Sequence, residues 1–468
     1  MAESYDLVVI GSGPGGYVGA IRAAQLGLRT AVVEKDPTFG GTCLNVGCIP
    51  SKALLDSSEH FENAHKELSK HGVMISGAEL NLPVMMARKD KVVSDNVSGI
   101  SYLFKKNKIS SYQGLGTLKS ANEVEITKAD GTKEILQTKN IMIATGSVPK
   151  ELPFMKFDKK VIVSSTEALR LPQVPKKMVV VGGGAIGLEM GSVWLRLGAD
   201  VTVIEYAQKI CGVMDAGLSD RLLKVLQKQG MKFILGAKTT GAKVNKNTAL
   251  VDFELIKDGS KQTLEADVVL VAVGRAPFSE GLGLEKLGIT KNATGYIDVN
   301  EHFQTSQPNI YAVGDVIPGP MLAHKAEEEG VAVAEIIAGH AGHVNYETVP
   351  SVIYTWPEFA AVGYTEEQLK THEVPYNVGT FPFSANGRAR AAGSTDGMVK
   401  VLAHKETDRL LGVHIVGPRA SDLIMEAVVC MEFGGAAEDL AKSFHAHPTF
   451  SEAVREAALG ANGMTRQM

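Results

Sequence analysis

Two stretches of the chain, 7–34 and 178–205, repeat one pattern of strand, glycine-rich turn, helix and strand. Each begins with an apolar run, continues into Gly-x-Gly-x-x-Gly and a helical stretch, and ends with a second apolar run closed by glutamate. The first glycine precedes that glutamate by 23 positions in both stretches. A β-α-β unit of this kind places its two strands in one parallel sheet. The repetition therefore predicts an α/β fold with two such sheets.

Each glycine of the turn has a separate physical role. The first allows the sharp change of direction, the second lets a pyrophosphate approach the backbone, and the third lets the helix pack closely on the strand. These positions are Gly11, Gly13 and Gly16 in the first stretch, and Gly182, Gly184 and Gly187 in the second. The helix N-terminus behind the turn attracts the anionic pyrophosphate. One such turn alone could be an ordinary glycine-rich loop, but two in the same context predict two bound dinucleotides.

The glutamates that close the two units are Glu34 and Glu205. A carboxylate at this place can accept hydrogen bonds from ribose hydroxyls. A 2′-phosphate would meet a like charge there, so Glu205 favours NAD over NADP.

Two cysteines five residues apart, Cys43 and Cys48, follow the first unit. In a regular helix their Cα atoms would lie about 8–9 Å apart, which exceeds the limit of about 7 Å for a disulfide. They can be joined only if the turn is distorted, and Asn45 and Gly47 tolerate such a backbone. We interpret the pair as a redox-active disulfide, in a small ring that is easily reduced. The alternatives are two unrelated buried thiols or half of a metal site, and we expect no metal because zinc pairs are usually spaced more closely.

Composition limits the class of protein. A length of 468 residues suggests about three domains of ~150 residues, and 44% apolar with 21% charged residues is typical of a soluble globular protein. The net charge of −4 and the lack of a long basic run argue against nucleic-acid binding. No apolar run approaches the roughly 18–20 residues of a membrane helix. The short charged clusters 159–160, 176–177 and 327–329 are interpreted as solvated faces.

The N-terminal residues, Met-Ala-Glu-Ser-Tyr-Asp, lack the positively charged and apolar regions of a secretory signal. Four cysteines in a chain of this length do not make a disulfide scaffold. We therefore expect a reducing compartment, which is the cytoplasm, or the mitochondrial matrix if a presequence was removed.

Three further apolar stretches end in small or charged residues and are predicted as strands. They are 141–146, 268–277 and 305–315. Asp315 at the end of the last one is placed either to bind a cofactor hydroxyl or to cap a helix. From about Tyr346 the pattern changes to shorter β-rich runs followed by two helices, which predicts a separate domain.

Near the C-terminus a histidine and a glutamate form a candidate acid–base pair. Pro448 keeps the preceding residue, His447, out of the α region, and Thr449 or Ser451 could cap the helix that follows. Glu452 could orient one ring nitrogen of His447 and raise its basicity. The alternative is a surface histidine beside a helix-starting glutamate.

These motifs together resemble the pyridine nucleotide-disulfide oxidoreductases. The segment Thr42–Lys52, the two nucleotide units, Ala144-Thr-Gly146, Gly314-Asp315 and His445–Glu452 occur there in the same order, and the resemblance extends from about Tyr5 to Met464. It implies two Rossmann-like dinucleotide-binding domains plus a C-terminal α+β dimerisation domain. The implied boundaries are 1–150 for an FAD-binding domain, 151–276 for an NAD-binding domain, 277–346 for a central domain that completes the FAD site, and 347–468 for the interface domain.

The resemblance also implies roles for individual residues. FAD would be bound by Gly11, Gly13, Gly16, Glu34, Thr42, Lys52, Thr145, Gly146, Asp315, Met321, Leu322 and Ala323. NAD would be bound by Gly182, Gly184, Gly187, Glu205, Gly274 and Arg275. The catalytic set would be Cys43 as the thiol that meets the substrate, Cys48 as the thiol that faces the flavin, Lys52 paired with Glu189 near the flavin ring, and His447 with Glu452 as the base of the partner subunit's active site.

The chain is most similar to family members that oxidise protein-bound dihydrolipoamide to lipoamide with reduction of NAD+, as the E3 component of 2-oxo acid dehydrogenase complexes. The implied partners are a second copy of the chain, lipoyl domains and the E2 core. One alternative is a glutathione-reductase-like NAD(P)H disulfide reductase. Such an enzyme would be expected to have arginines at positions 205–209 for NADPH, but Lys209 is the only cation there. Mercuric and thioredoxin reductases carry a further C-terminal redox pair, which this chain lacks. The other alternative is a non-catalytic assembly subunit.

Overall fold

The computed structural model describes residues 4–467, which form two compact units. The first unit consists of the stretch that ends at Leu54 together with Asn81–Lys150 and Gly274–Val344. The second consists of Leu55–Leu80, Glu151–Val273 and the stretch that begins at Asn345. Each unit is therefore assembled from three separate parts of the sequence.

The strands are β1 (Ser4–Ile10), β2 (Thr30–Glu34), β3 (Ser110–Gln113), β4 (Leu115–Ser120), β5 (Glu123–Thr127), β6 (Lys133–Ile143), β7 (Ser147–Pro149), β8 (Ile162–Val163), β9 (Lys177–Val181), β10 (Asp200–Glu205), β11 (Lys232–Leu235), β12 (Ala237–Asn245), β13 (Thr248–Leu255), β14 (Lys261–Ala266), β15 (Val268–Val271), β16 (Arg275–Pro277), β17 (Ile310–Ala312), β18 (Ser351–Ile353), β19 (Glu358–Gly363), β20 (Tyr376–Pro382), β21 (Met398–His404) and β22 (Leu410–Gly417).

The α-helices are α1 (Pro14–Gln25), α2 (Gly41–Val46), α3 (Cys48–Lys66), α4 (Leu82–Lys106), α5 (Ser165–Ala168), α6 (Ala185–Arg196), α7 (Ala216–Lys228), α8 (Ala323–Ile337), α9 (Glu366–Thr371), α10 (Gly387–Ala391), α11 (Ala420–Glu432), α12 (Ala437–Lys442) and α13 (Glu452–Ala461). Short 3₁₀ turns cover Leu68–His71, Leu284–Leu287, Gly314–Val316, Tyr346–Thr348 and Phe383–Ala385.

The first unit is built on a parallel sheet in the order β3-β2-β1-β6, with β17 also parallel to β6 and an antiparallel extension through β5 and β4. The carboxyl-terminal halves of its central strands β1 and β6 are runs of buried apolar residues, as expected for a sheet covered on both faces. Ile10 is aligned with Ile143, and Ile143 with Ala312. The carboxyl ends of β1, β6 and β17 therefore meet at one edge, where open parallel sheets bind their ligands.

Helices α1 and α8 pack against each other through glycines. A Cβ atom on Gly330 of α8 would overlap the carbonyl oxygen of Gly15, and one on Gly19 would come within 2.8 Å of the carbonyl oxygen of Gly330. The absence of side chains at these positions lets the two backbones touch. This contact sets the position of the N-terminus of α1 beside that of α8.

The substitution Gly330→Ala is expected to lower the free energy of unfolding by about 1–3 kcal/mol, because the added methyl group overpacks a backbone contact. The matched control is Gly99→Ala in α4, where a Cβ would meet nothing within 4 Å. Alanine there should be neutral or stabilising by about 0.5–1 kcal/mol. Urea unfolding of both variants checks the pair of values, and equal midpoints would contradict the close-packing argument.

The second unit contains a parallel sheet in the order β11-β10-β9-β15-β8, an antiparallel meander β12-β13-β14, and an antiparallel sheet in the order β18-β19-β22-β21-β20. Separate apolar cores lie in the parallel part and in the C-terminal part. Asp215 caps α7 by accepting from the amide of Leu218, and it also accepts from Lys400 at 2.9 Å. A buried ion pair thus ties the C-terminal sheet to a helix of the parallel layer.

The predicted fold class is confirmed, with two parallel dinucleotide-type sheets and a mixed C-terminal part. Within residues 4–467, no helix combines the length and the apolar composition needed to cross a bilayer. Over the same range, no group of three or more His, Cys, Asp or Glu side chains could hold a metal ion.

Candidate active site

The first dinucleotide turn joins β1 to α1 and has the form that the sequence predicts. A Cβ on Gly11 would lie 2.5 Å from the carbonyl oxygen of Ala144, and one on Gly16 would overlap the carbonyl oxygen of Gly11. At Gly13, in contrast, a Cβ would meet nothing within 4 Å. Gly13 is also the N-cap of α1 and leaves the helix N-terminus without a side-chain cap. The turn therefore offers amide groups beside open space.

The second turn, between β9 and α6, repeats this arrangement. Side chains at Gly182 and Gly187 would overlap backbone atoms, whereas Gly184 has open space and is the uncapped N-cap of α6. In the segment that follows β10, Lys209 Nζ donates to the carbonyl oxygen of Met214 at 2.9 Å.

The two glutamates at the ends of the second strands are held in the same way. Glu34 Oε2 accepts from the amide and the hydroxyl of Ser12, at 2.9 and 2.6 Å. Glu205 Oε2 accepts from the amide of Gly183 at 2.6 Å, and Oε1 accepts from the amide of Ala207 at 2.8 Å. Both carboxylates are thereby fixed at the rim of their turn.

The cysteine segment is anchored to the first dinucleotide turn. The amide of Gly40, the N-cap of α2, donates to the carbonyl oxygen of Ser12 at 3.0 Å and to its hydroxyl at 3.2 Å. Gly40 and Gly41 have φ values of 97° and 56°, which glycine adopts without strain. A Cβ on Gly41 would lie 2.6 Å from the Cα of Gly13. The helix that carries Cys43 thus begins in contact with the turn.

The helical path breaks between the two cysteines, at Gly47. Helix α2 ends at Val46, Gly47 has φ −137° and ψ −117°, and α3 begins at Cys48. Of the two residues that tolerate a distorted backbone, Asn45 is helical and only Gly47 departs from the helix. The Asn45 side-chain amide donates to the carbonyl oxygens of Phe39 and Gly41, at 3.0 and 2.9 Å, and this ties down the start of the segment.

The Cys43 and Cys48 side chains lie against each other and share a hydrogen bond. The hydrogen bond with Cys48 and then burial raise the pKa of the Cys43 thiol. Two thiols that share a hydrogen bond are close enough to exchange their proton. The arrangement is that of a reduced dithiol, whose oxidised form is the predicted disulfide.

Asp315 and Arg275 meet next to this thiol pair. The hydroxyl of Ser147 donates to Asp315 Oδ2 at 2.5 Å. The Arg275 Nε donates to that hydroxyl at 2.7 Å, and one Nη donates to the Ser147 carbonyl oxygen at 2.7 Å and to the Thr42 hydroxyl at 3.4 Å. Burial lowers the pKa of Arg275, although the charges of Asp315 and Cys48 oppose the shift. Arg275, predicted for NAD, therefore lies among the residues predicted for FAD. Asp315 does not cap a helix, since the N-cap of its 3₁₀ turn is Val313.

The sequence did not indicate that a half-buried tyrosine, Tyr17, and a half-buried glutamate, Glu327, lie close to the thiols. The Tyr17 hydroxyl donates to Glu327 Oε1 at 3.3 Å. Burial and then the charge of Glu327 raise the pKa of Tyr17, with smaller contributions from Cys43 and Cys48. Burial also raises the pKa of Glu327. Cluster 327–329 is therefore not a solvated face at Glu327.

The remaining predicted residues lie on the same edge or in the second unit. Thr145 donates to the carbonyl oxygen of Phe278 at 2.7 Å, and Gly146 has φ 71°. Met321, Leu322 and Ala323 form the start of α8, which has no side-chain cap. Lys52 lies in α3, and Glu189 is buried in α6, where it accepts from the amide of Tyr354 at 3.0 Å. The pairing of Lys52 with Glu189 stays a prediction.

In the second unit, His447 and Glu452 form a hydrogen-bonded pair. Nδ1 of His447 lies 3.0 Å from Glu452 Oε1, and the amide of Thr449 donates to Oε2 at 2.9 Å. Burial acts against ionisation, but these two hydrogen bonds, together with the charges of His447 and Arg455, outweigh it and lower the pKa of Glu452. An ionised carboxylate only accepts, so Nδ1 carries the proton and Nε2 is left as a base. The His447 side chain is 74% exposed, whereas Glu452 is 5% exposed.

The loop that carries His447 is held by another histidine. His445 Nε2 lies 2.8 Å from Glu426 Oε2, and its Nδ1 lies 2.9 Å from the carbonyl oxygen of Ser443. Both partners are acceptors, which suits an imidazolium with two N–H donors. The hydrogen bond with Glu426, opposed by burial and supported by Ser443, raises the pKa of His445.

We expect His445→Gln to lower stability in a pH-dependent way. A folded-state pKa raised above the ordinary value of about 6.5 gives stabilisation that is complete below that value and disappears as the pH rises through the folded-state pKa. The difference in unfolding free energy between wild type and variant should therefore be largest in mild acid. Urea unfolding over a pH series measures it, with exposed His340→Gln as control. A difference that grows toward alkaline pH would show that His445 is not charged in the folded state.

The first unit fits FAD on its own geometry. It combines uncapped N-termini of α1 and α8, open space at Gly13, a fixed carboxylate at Glu34 and the Asp315 carboxylate on one edge. The second unit fits NAD through the open space at Gly184 and the carboxylate of Glu205. Amide groups at a helix end and carboxylates toward ribose are the donor and acceptor set that dinucleotides need.

Comparison with known proteins agrees with these features. Residues 5–330 match the family model described as pyridine nucleotide-disulphide oxidoreductase, and residues 349–458 match the dimerisation domain of the same family. Dihydrolipoyl dehydrogenase 2, mitochondrial, from Arabidopsis thaliana is 53% identical over 458 residues, which are 98% of this chain and 90% of that protein. Dihydrolipoyl dehydrogenase, mitochondrial, from Homo sapiens is 52% identical over 460 residues, with the same shares. The solved structure of LpdA from Mycobacterium tuberculosis matches with a TM-score of 0.89 at 26% identity, over 97% of this chain and 98% of that one. The chain therefore belongs to the pyridine nucleotide-disulphide oxidoreductase family.

Proposed function

We propose that this enzyme oxidises protein-bound dihydrolipoamide to lipoamide with reduction of NAD+ to NADH, as the E3 component of 2-oxo acid dehydrogenase complexes. The observation that carries the proposal is the contact of Cys43 with Cys48 in a segment anchored to the first dinucleotide turn. It is supported by the dihydrolipoyl dehydrogenases that are 52–53% identical over 98% of the chain.

The cofactors are FAD and NAD(H). The residues that would hold FAD are the first turn with Glu34, the edge formed by Thr42, Lys52, Thr145, Gly146 and Asp315, and the start of α8 from Met321 to Ala323. Those that would hold NAD are the second turn with Glu205, together with Gly274 and Arg275. When bound, FAD supplies two-electron transfer between the thiol pair and the nicotinamide.

The chain's own residues carry out the sulfur chemistry. His447 Nε2 takes a proton from one substrate thiol, because the thiolate and not the thiol attacks a disulfide. That thiolate attacks Cys43 of the oxidised pair, the Cys43–Cys48 bond breaks, and Cys48 leaves as a thiolate. The second substrate thiol then displaces Cys43, which closes the lipoamide disulfide and leaves the reduced dithiol. Glu452 orients His447 and stabilises the imidazolium that forms.

The proposed active unit is a homodimer in which His447 acts in the partner's site. Met425 and Val429 on one face of α11, and Phe433 at its C-cap, follow each other at spacings of four residues and are exposed, Phe433 by 86%. Phe444, at the start of the loop that carries His447, is fully exposed. Apolar residues exposed side by side mark a protein-binding surface, and residues 349–458 match a dimerisation domain.

A glutathione-reductase-like use of NADPH is disfavoured by the second unit. Glu205 presents a carboxylate where a 2′-phosphate would bind, and Lys209, the nearest cation in sequence, is engaged with the carbonyl oxygen of Met214. The complete redox set also argues against a purely structural subunit. The proposed partners are lipoyl domains and the E2 core. The proposed location is the cytoplasm, or the mitochondrial matrix, since the relatives from A. thaliana and H. sapiens are named as mitochondrial.

Steady-state rates with the dithiol dihydrolipoamide and with the disulfide of oxidised glutathione, each with NAD(H) and NADP(H), test the proposal. We expect turnover of dihydrolipoamide with NAD+ to exceed turnover of oxidised glutathione with NADPH by several orders of magnitude. A yellow protein with the opposite preference would identify a glutathione-type reductase. A colourless protein that binds no FAD would leave only the structural-subunit alternative.

A further inference from the structure

An ion pair lies completely buried in α8, within the first unit. Lys325 and Glu329 stand one helical turn apart, with 1% and 0% of their side chains exposed, and Lys325 Nζ lies 3.0 Å from Glu329 Oε1. Charged side chains are almost never buried to this degree without a specific partner. Their neighbour Glu328 is exposed and faces the other way.

Both members of the pair bind backbone groups of one residue outside the helix, Gly314. Glu329 Oε2 accepts from the amide of Gly314 at 2.7 Å, and Lys325 Nζ donates to the carbonyl oxygen of Gly314 at 3.2 Å. Gly314 has φ 76°, and a Cβ there would lie 3.1 Å from the Cβ of Ala326. The pair thus holds both polar groups of a residue in a left-handed conformation that favours glycine.

The held residue directly precedes Asp315 at the end of β17. Fixing the amide and the carbonyl of Gly314 leaves little freedom for the direction in which the next Cα–Cβ bond points. The Asp315 carboxylate is then further oriented by Ser147.

We propose that Lys325 and Glu329 are positioning residues that fix the backbone of Gly314 on both sides of its Cα atom and thereby aim the Asp315 carboxylate at FAD. This inference rests on the proposed role of Asp315 in binding FAD. A buried ion pair is a weak source of stability, because the desolvation of both charges offsets their attraction. Charge-assisted hydrogen bonds, however, are short and directional, so the pair is suited to fixing geometry.

The test compares variants that differ in which contacts of Gly314 they keep. Lys325→Met combined with Glu329→Leu removes both contacts and both charges while keeping apolar volume. Lys325→Met combined with Glu329→Gln removes the charges but keeps an acceptor for the Gly314 amide. Asp315→Ala reports on the proposed role of Asp315 itself, and exposed Glu328→Gln is the matched control on the same helix.

Two measurements on each holoenzyme separate positioning from plain stability. The rate of FAD release on dilution is followed by flavin fluorescence, and the environment of bound FAD by visible circular dichroism. We expect Asp315→Ala and the Met/Leu variant to release FAD at least about tenfold faster with altered dichroism, a change typical of losing one charge-assisted hydrogen bond. The Met/Gln variant should lie between these and wild type, and Glu328→Gln should match wild type.

Three outcomes overturn the inference. Fast release in Asp315→Ala with wild-type release and dichroism in the Met/Leu variant would refute the pair's role and keep that of Asp315. Wild-type behaviour of Asp315→Ala would remove the proposed role of Asp315, and with it the target of the pair. Release rates that follow the urea midpoint across the variants, instead of the contacts kept on Gly314, would reduce the pair to a structural element.

Discussion

Replacement of Cys48 by serine is expected to abolish lipoamide turnover in a protein that still binds FAD. A serine hydroxyl cannot form the bond with Cys43 that the substrate must open, so the loss should be about 10⁴–10⁶-fold, the scale on which removal of a reacting group acts. The side chain is nearly isosteric, and the turn that would bind the pyrophosphate involves other residues. Turnover of dihydrolipoamide with NAD+ and the flavin absorption spectrum measure the two parts of this expectation.

The matched control is Cys430→Ser. Cys430 is half-buried, and its thiol contacts the carbonyl oxygen of Ala436 at 3.7 Å, a partner that a hydroxyl can also use. This variant should keep full activity. Undiminished turnover in Cys48→Ser would show that the Cys43–Cys48 pair does not carry the electrons.

The second large effect is expected for His447→Gln. Glutamine can still donate to Glu452 but cannot accept a proton, so the reduction of the oxidised enzyme by dihydrolipoamide should slow by about 10²–10⁴-fold. Stopped-flow mixing isolates this half-reaction. The other half-reaction, between reduced enzyme and NAD+, should keep its rate because it requires no proton transfer from the substrate thiol.

Exposed His340→Gln serves as the control for His447→Gln and should leave both half-reactions unchanged. If His447→Gln slows only the reaction with NAD+, the assignment of His447 as the base for the substrate thiol is wrong. The pair is otherwise placed to act, since His447 is exposed while Glu452 is fixed by Thr449 at the start of α13.

The sequence predicted those elements whose signal is local. The glycines at 11 and 16, and again at 182 and 187, are required because any side chain there would collide with backbone, and this requirement is readable as a motif. The parallel strands followed from continuous apolar runs, and the family relationship is confirmed.

Contacts between distant parts of the chain could not be predicted from local sequence patterns. We interpreted cluster 327–329 as solvated, yet Glu329 is completely buried and only Glu328 is exposed. Lys325, Glu329 and Val333 recur at the helical spacing of four on the buried face of α8. Three consecutive glutamates indicate a solvated segment when only composition is considered. The helical spacing of the buried residues shows instead that these glutamates face different sides of the helix.

Tertiary context also decided the conformation of single residues. Asn45 and Gly47 both tolerate a distorted turn, but the hydrogen bonds of the Asn45 side chain to Phe39 and Gly41 favour the helix, and the whole deviation falls on Gly47. Arg275 follows a strand of the predicted NAD-binding stretch, and its contacts are with Ser147 and Thr42 instead. The hydrogen-bond partners of Asn45 and of Arg275 could not be predicted from the spacing of residues in the sequence.

The division of the first unit among three parts of the sequence has a consequence for biosynthesis. Strand β17 completes the pairing of β6, yet it follows β6 by more than a whole domain's length of chain. At about 5–20 residues per second, a ribosome needs roughly ten to thirty seconds to supply that missing neighbour. During this interval the edge of β6 that later pairs with β17 is exposed. Pulse proteolysis of stalled nascent chains would detect this exposure. The edge that carries Asp315 is thus protected only after β17, which ends at Ala312, has been synthesised.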